Sequence, residues 1–197
     1  YEANKNYGLV QVYGLDFEFV WQPAQVENLT ITGFYAYNKG EVIEPYELPP
    51  YTGDNEDYDA YYFNGVFDGN SLPNNPEQKA NLTAEYNIPL SSGNNLALFG
   101  VWAWTAEFEK GVDNDPLRVH DAFTRVDLRA TWSSADERTR VSLYGQNIFD
   151  ERQVQLVELE EWELPDPNNP DEEIEVLVNA PFISTYRMWG LEARFSF

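Results

Sequence analysis

Cysteine is absent from this 197-residue chain. Disulfides, thiolate catalysis and cysteine-ligated metals are excluded with it. The absence fits an oxidising compartment, where free thiols are avoided. Basic residues are scarce: 12 Lys and Arg stand against 34 Asp and Glu, a net charge of -22. Phosphate binding requires clustered Lys and Arg, so nucleic acid is not an expected partner. Long apolar runs are missing too. No stretch approaches the roughly 20 residues of a membrane helix, and the mean hydropathy is -0.53. Helical 3.6-residue periodicity is hard to find. No serine sits in a nucleophile elbow and no glycine-rich phosphate loop occurs, so neither enzymatic activity nor a cofactor is expected. The first residue is Tyr1 rather than Met, with no apolar leader after it. Any signal peptide is therefore expected to have been removed.

What the chain does have is aromatic surface and period-two alternation. Phe, Trp and Tyr make up 16% of it. Leu15, Phe17, Phe19 and Trp21 share one face of an extended segment, opposite Asp16 and Glu18, with Val20 as an exception. The same alternation places Leu29, Ile31, Gly33, Tyr35 and Tyr37 together, and Leu82, Ala84, Tyr86 and Ile88. It recurs for Val126, Leu128, Ala130 and Trp132, and for Trp189, Leu191, Ala193, Phe195 and Phe197. Residues 96–108 are apolar on both faces, so alternation does not orient them. Seven strands are expected, near 7–22, 28–43, 79–90, 95–110, 122–133, 138–150 and 184–197. Most exceed the ordinary strand of about 5 to 6 residues and match the roughly 9 to 11 residues with which a tilted strand crosses a bilayer.

The connections alternate short, long, short, long, short, long. In an antiparallel array successive connections fall at opposite ends, so all the short turns gather on one side. Outer-membrane barrels have this asymmetry, with short periplasmic turns and long extracellular loops. The charge follows the loops: residues 41–79 and 151–183 carry 19 of the 34 acidic groups. On the closing strand alternate residues meet lipid, with Trp189 toward the outer interface and Phe195 and Phe197 toward the periplasmic one. Glu192 and Arg194 then face the interior. The expected class is all-β, an antiparallel transmembrane β-barrel segment. A soluble all-β binding module with a sandwich core is the alternative from another class, and solubility without detergent discriminates the two.

Four stretches carry a family likeness: "GLDFEF" (14–19), "GNSLPNNPEQKANLTAEY" (69–86), "VSLYGQNIFDER" (141–152) and "APFISTYRMWGLEARFSF" (180–197). In order and spacing they resemble the C-terminal barrel region of TonB-dependent outer-membrane receptors. The third departs from the family pattern by Ile148 in place of Leu. The resemblance implies a barrel of about 22 strands filled by an N-terminal plug. Residues 1–197 are then the C-terminal portion of the barrel, about seven strands of it, with the plug and the TonB-contacting region outside this chain. It further implies location in the bacterial outer membrane and partnership with its lipid, with the rest of the receptor and with TonB. The activity implied is active uptake of a scarce solute. A ferric siderophore or other iron complex is the first expectation, an oligosaccharide or other nutrient the alternative. Phe197 matches the family's terminal aromatic, which implies a sorting and assembly signal.

Ligand-binding residues are expected among loop aromatics interleaved with polar groups, suited to stacking and hydrogen bonding. Tyr51, Tyr58, Tyr61 and Tyr62 in the first long loop and Trp162 in the last are the candidates. Asp54, Glu56, Asp57 and Asp59 (in "DNEDYD") suit a hard cation such as calcium but lack the spacing of an EF-hand. His120, beside Asp121, is expected to be a solvated loop residue rather than a metal ligand. Val154–Leu159 and Ile174–Val178 alternate and are expected to pair as a projecting hairpin.

Overall fold

A computed structural model describes residues 8–44, 69–112, 114–152, 154–167, 169–183 and 186–197. Eleven strands lie among the described residues: β1 Leu9–Trp21, β2 Leu29–Glu44, β3 Gln78–Pro89, β4 Asn95–Thr105, β5 Phe108–Glu109, β6 Val119–His120, β7 Phe123–Ser133, β8 Thr139–Gln146, β9 Val154–Asp166, β10 Asn169–Ile183 and β11 Met188–Phe195. Among the described residues the one helical element is a single 3-10 turn, Pro116–Arg118. Seven strands form one antiparallel sheet in the order β1-β2-β3-β4-β7-β8-β11. The ends of that order do not meet, so the sheet is an open wall and not a closed barrel. Strands β9 and β10 make a separate two-stranded ribbon, and β5 and β6 a small hairpin.

The seven expected strands are the seven of the wall. Three ends differ, two of them for a local reason. The fourth was expected to run to residue 110 but stops at Thr105, and Phe108 resumes by pairing with His120 instead of with the wall. The sixth was expected to reach residue 150 but stops at Gln146, because Asn147 and Asp150 turn the chain at φ 48° and 56°. The last begins at Met188. The ribbon was expected from its alternating ends, and it continues past them to Asp166 and Asn169.

The three short connections lie at one end of the wall. In the β3–β4 turn Gly93 takes φ 79°, a left-handed value that a side chain disfavours. In the β7–β8 turn Ser134 Oγ donates to Asp136 at 2.6 Å and accepts from Thr139 N at 3.0 Å. Asn94 accepts from Ala135 N at 2.9 Å and so ties the two turns together.

The long-loop end is knit more heavily. Residues 69–75 run back along the top of β2, with Gly69 N bonded to Val42 O, Val42 N to Asn70 O and Leu72 N to Gly40 O. Leu72 packs against Gly40, where a methyl group would lie 2.8 Å from Leu72 Cδ1. Asn38 donates to Asn75 Oδ1 at 2.8 Å. These contacts give "GNSLPNNP" its physical role, which is to fold the loop onto β2 before β3 descends. Asn114 then clamps the β5–β6 segment to this ledge, accepting from Ser71 N at 2.8 Å and donating to Ser71 O at 3.1 Å.

Candidate functional site

Directly paired residues in an antiparallel sheet share a face, so the register assigns every side chain of the wall to one side. Starting from Phe17 and Trp21, the register leads to Tyr35 and Ile31 on β2 and to Ala80, Leu82 and Ala84 on β3. It continues to Trp104, Trp102 and Gly100 on β4, and to Thr124, Val126 and Leu128 on β7. Gly145 and Leu143 on β8 and Trp189, Leu191 and Ala193 on β11 complete it. No Asp, Glu, Lys or Arg interrupts this face between Leu15 on β1 and Phe195 on β11. Its middle is bare: Leu191 is 74% exposed, Leu143 54% and Leu128 44%. Val42 is the one fully buried large side chain among the described residues. The wall therefore has no water-excluding core, and its apolar face needs an apolar solvent. A soluble sandwich would bury this face, and no second layer covers it among the described residues.

Aromatic rings border the apolar face along two diagonals. At the short-turn end lie Trp21, Tyr86, Trp132 and Phe195; toward the long loops lie Tyr13, Trp104 and Trp189. Each diagonal moves along the strands as it crosses the sheet. The lower one advances two residues for every two strands. At about 3.4 Å per residue and 4.8 Å per strand this is a strand tilt of roughly 35°, within the range of about 35 to 45° for membrane barrels. Six to eight residues, roughly 20 to 27 Å along a strand, separate the two rows. Trp189 lies toward the long-loop end of β11 and Phe195 toward the short-turn end.

Glycines let two of the rings lie flat. A methyl at Gly145 would sit 2.6 Å from the Trp189 ring, and one at Gly190 would collide with the Tyr144 ring. Trp189 and Tyr144 thus cover a neighbouring strand from opposite faces of the β8–β11 pair.

The other face is polar and charged. Asp16 and Glu18 project from β1, Lys79 and Glu85 from β3, Arg125, Asp127 and Arg129 from β7, Arg140 from β8, and Glu192 and Arg194 from β11. Arg125 Nε bonds Asp127 at 3.0 and 3.2 Å. Arg129 reaches Glu192 at 3.0 Å and lies 5.0 Å from the centre of the Tyr144 ring. Thr131 and Ser142 share a hydrogen bond of 2.9 Å. Lumen-facing Phe99, Val101 and Ala103 explain why residues 96–108 did not alternate: β4 is apolar on both sides.

At the top of β8 the "NIFDE" stretch is a knot. Asn147 N donates to Asp127 at 2.8 Å, and Asn147 Nδ2 donates to Glu151 O at 2.9 Å. Glu151 accepts from Thr124 N at 2.9 Å, and Asp150 accepts from Arg187 N at 2.9 Å. The loop that leaves β8 and the strand that returns are rooted in the same few residues.

His120 is not solvated. It is 6% exposed, stacked on Phe108 at 4.6 Å and tilted against Phe123 at 5.2 Å, with Nδ1 2.8 Å from Asp121 O. Its aromatic neighbours, spaced twelve and three residues away, were the overlooked signal. Lys110, at the base of the same hairpin, has its pKa pushed down by burial. In the β7–β8 turn the Asp136 carboxyl is held below the usual range by the hydrogen bond from Ser134 and then by Arg138 N.

Of the expected ligand residues, Tyr51, Tyr58, Tyr61 and Tyr62 lie outside the described residues, as do the calcium candidates Asp54, Glu56, Asp57 and Asp59. Trp162 lies on β9 opposite Val176 and is 50% exposed. Phe197 follows β11 and is fully exposed. Of these candidates only Trp162 and Phe197 fall among the described residues.

Residues 3–148 match the family model described as TonB dependent receptor-like, beta-barrel. The chain belongs to the TonB-dependent receptor family. No curated protein matches it. Among solved structures it is similar to the ferric yersiniabactin uptake receptor FyuA from Yersinia pestis, at 17% identity and TM-score 0.67, covering 98% of this chain and 24% of that one. It is similar also to the siderophore receptor PiuA from Acinetobacter baumannii, at 15% identity and TM-score 0.62, covering 93% of this chain and 21% of that one. A third is BauA, the ferric preacinetobactin receptor of Acinetobacter baumannii, at 16% identity and TM-score 0.56, covering 94% of this chain and 22% of that one. At these identities the likeness shows the fold. This TonB-dependent receptor chain spans about a quarter of the length of those proteins. Its open wall is a transmembrane β-barrel segment, and the family is one of outer-membrane receptors, not enzymes.

Proposed function

We propose that this chain is the C-terminal part of the barrel wall of an outer-membrane active transporter that takes up a ferric siderophore or other iron complex. The unbroken, uncharged outer face, traced strand to strand by register, carries the barrel reading. Three structural relatives named for siderophores or ferric complexes support the choice of cargo. In this reading the short turns are periplasmic and the long loops extracellular. A plug preceding the chain fills the lumen and couples to TonB. Tyr51, Tyr58, Tyr61, Tyr62 and Trp162 contribute to cargo binding, and Phe197 serves barrel assembly. The acidic loops repel anions, so the cargo is a neutral or cationic complex. The test is uptake of radiolabelled iron by cells with and without the intact receptor, using neutral, cationic and anionic siderophores and an oligosaccharide. Receptor-dependent uptake of a neutral or cationic iron complex is expected. Uptake of the oligosaccharide alone moves the protein to nutrient import, and no dependence for any solute defeats the transporter reading.

A further inference from the structure

The lumen side of β7, β8 and β11 carries four arginines, and two lack a firm counter-charge. Arg125 is committed to Asp127, and Arg129 to Glu192. Arg140 has only a 3.6 Å approach to Glu137, a turn residue whose side chain is 79% exposed. Arg194 makes no ion pair among the described residues. The register sets Arg140 and Arg194 directly opposite each other, so their Cβ atoms lie about 4.5 to 5.5 Å apart on one face. Like charges so placed are destabilising. The nearby carboxylates are otherwise engaged. Glu192 is held by Arg129, and Asp136 by Ser134 and Arg138 N.

Two guanidinium forks carried at paired positions of adjacent strands suit an oxyanion, which each can bind with parallel N–H donors. We propose that Arg140 and Arg194 form an oxyanion-binding pair on the inner wall, at the short-turn end of the barrel, and that its ligand is a carboxylate or phosphate group. Two sources share that chemistry. One is an Asp or Glu of the receptor segment that fills the lumen; the other is a free carboxylate or phosphate solute. The proposal rests on the barrel architecture and not on the identity of the cargo.

The experiment uses the intact receptor in detergent with Arg140→Gln, Arg194→Gln and both together. Thermal unfolding is followed with chloride as the only small anion, then with citrate or phosphate at matched ionic strength. Heat-modifiable migration on gels reports barrel formation separately for each variant. An internal carboxylate predicts that either single substitution lowers the midpoint in chloride, that the second adds little, and that citrate changes nothing. Arg194→Lys, which keeps the charge without the fork, then retains part of the stability. A free anion predicts that citrate or phosphate raises the midpoint of the unsubstituted receptor and leaves all three Gln variants unmoved. Single variants as stable as the parent or more so, with a parent blind to both anions, overturn the pair as a site.

Discussion

Leu128 gives the sharpest measure of the wall's orientation. It sits on β7 near mid-band, between the diagonal of Trp132 and that running from Trp104 to Trp189, with its side chain 44% exposed. Leu128→Arg puts a guanidinium in hydrocarbon, at about 2 to 4 kcal/mol near the bilayer midplane. At about 1.4 kcal/mol per tenfold this is roughly a 30- to 700-fold loss in the folding constant. Thr139, on the same face but level with Phe195 at the short-turn rim, should tolerate Arg at about 0 to 1 kcal/mol. Gln146, on the lumen side opposite Met188, should tolerate it about as well. The assay is reversible urea unfolding of the intact receptor in lipid vesicles, read by tryptophan fluorescence. Equal losses for Leu128→Arg and Gln146→Arg would refute the assignment of faces.

Gly145→Val should displace the Trp189 ring and destabilise the receptor by about 1 to 3 kcal/mol through overpacking, seen as a lower urea midpoint and a shifted tryptophan emission. A double-mutant cycle on Arg129→Gln and Glu192→Gln should give a coupling of only about 0 to 1 kcal/mol, because both side chains are substantially exposed. Asp136 titrates below the ordinary aspartate range in the folded state. Its stabilisation is therefore complete above the unfolded-state pKa and is lost as pH falls toward the lower folded value. Asp136→Asn should flatten that acid limb of the unfolding profile.

The wall was legible because lipid on one side and a polar interior on the other impose period two on almost every strand. Where that contrast fails, so does the reading. Phe99, Val101 and Ala103 are apolar yet face inward, and only pairing with β3 and β7 tells the sides of β4 apart. The β5–β6 hairpin has two residues per strand, too few to alternate. It is held by the Phe108–His120–Phe123 stack and by Asn114, contacts that exist only once the chain has folded. The candidate site was less legible than the wall. Its tyrosines and carboxylates were chosen by composition, and Trp162, the one described loop aromatic among them, stands on a ribbon whose two strands pair only with each other. The lumen arginines emerged from register, which no single strand encodes.

The rings over Gly145 and Gly190 bear on how the last strand is joined. Trp189 clasps β8 from one side and Tyr144 clasps β11 from the other. Sliding β11 by one residue would drive both rings into side chains and turn Leu191 inward. A strand laid down out of step is thus opposed at two points of the β8–β11 pair. The seam checks its own alignment, and insertion of this part of the wall gains a proofreading step.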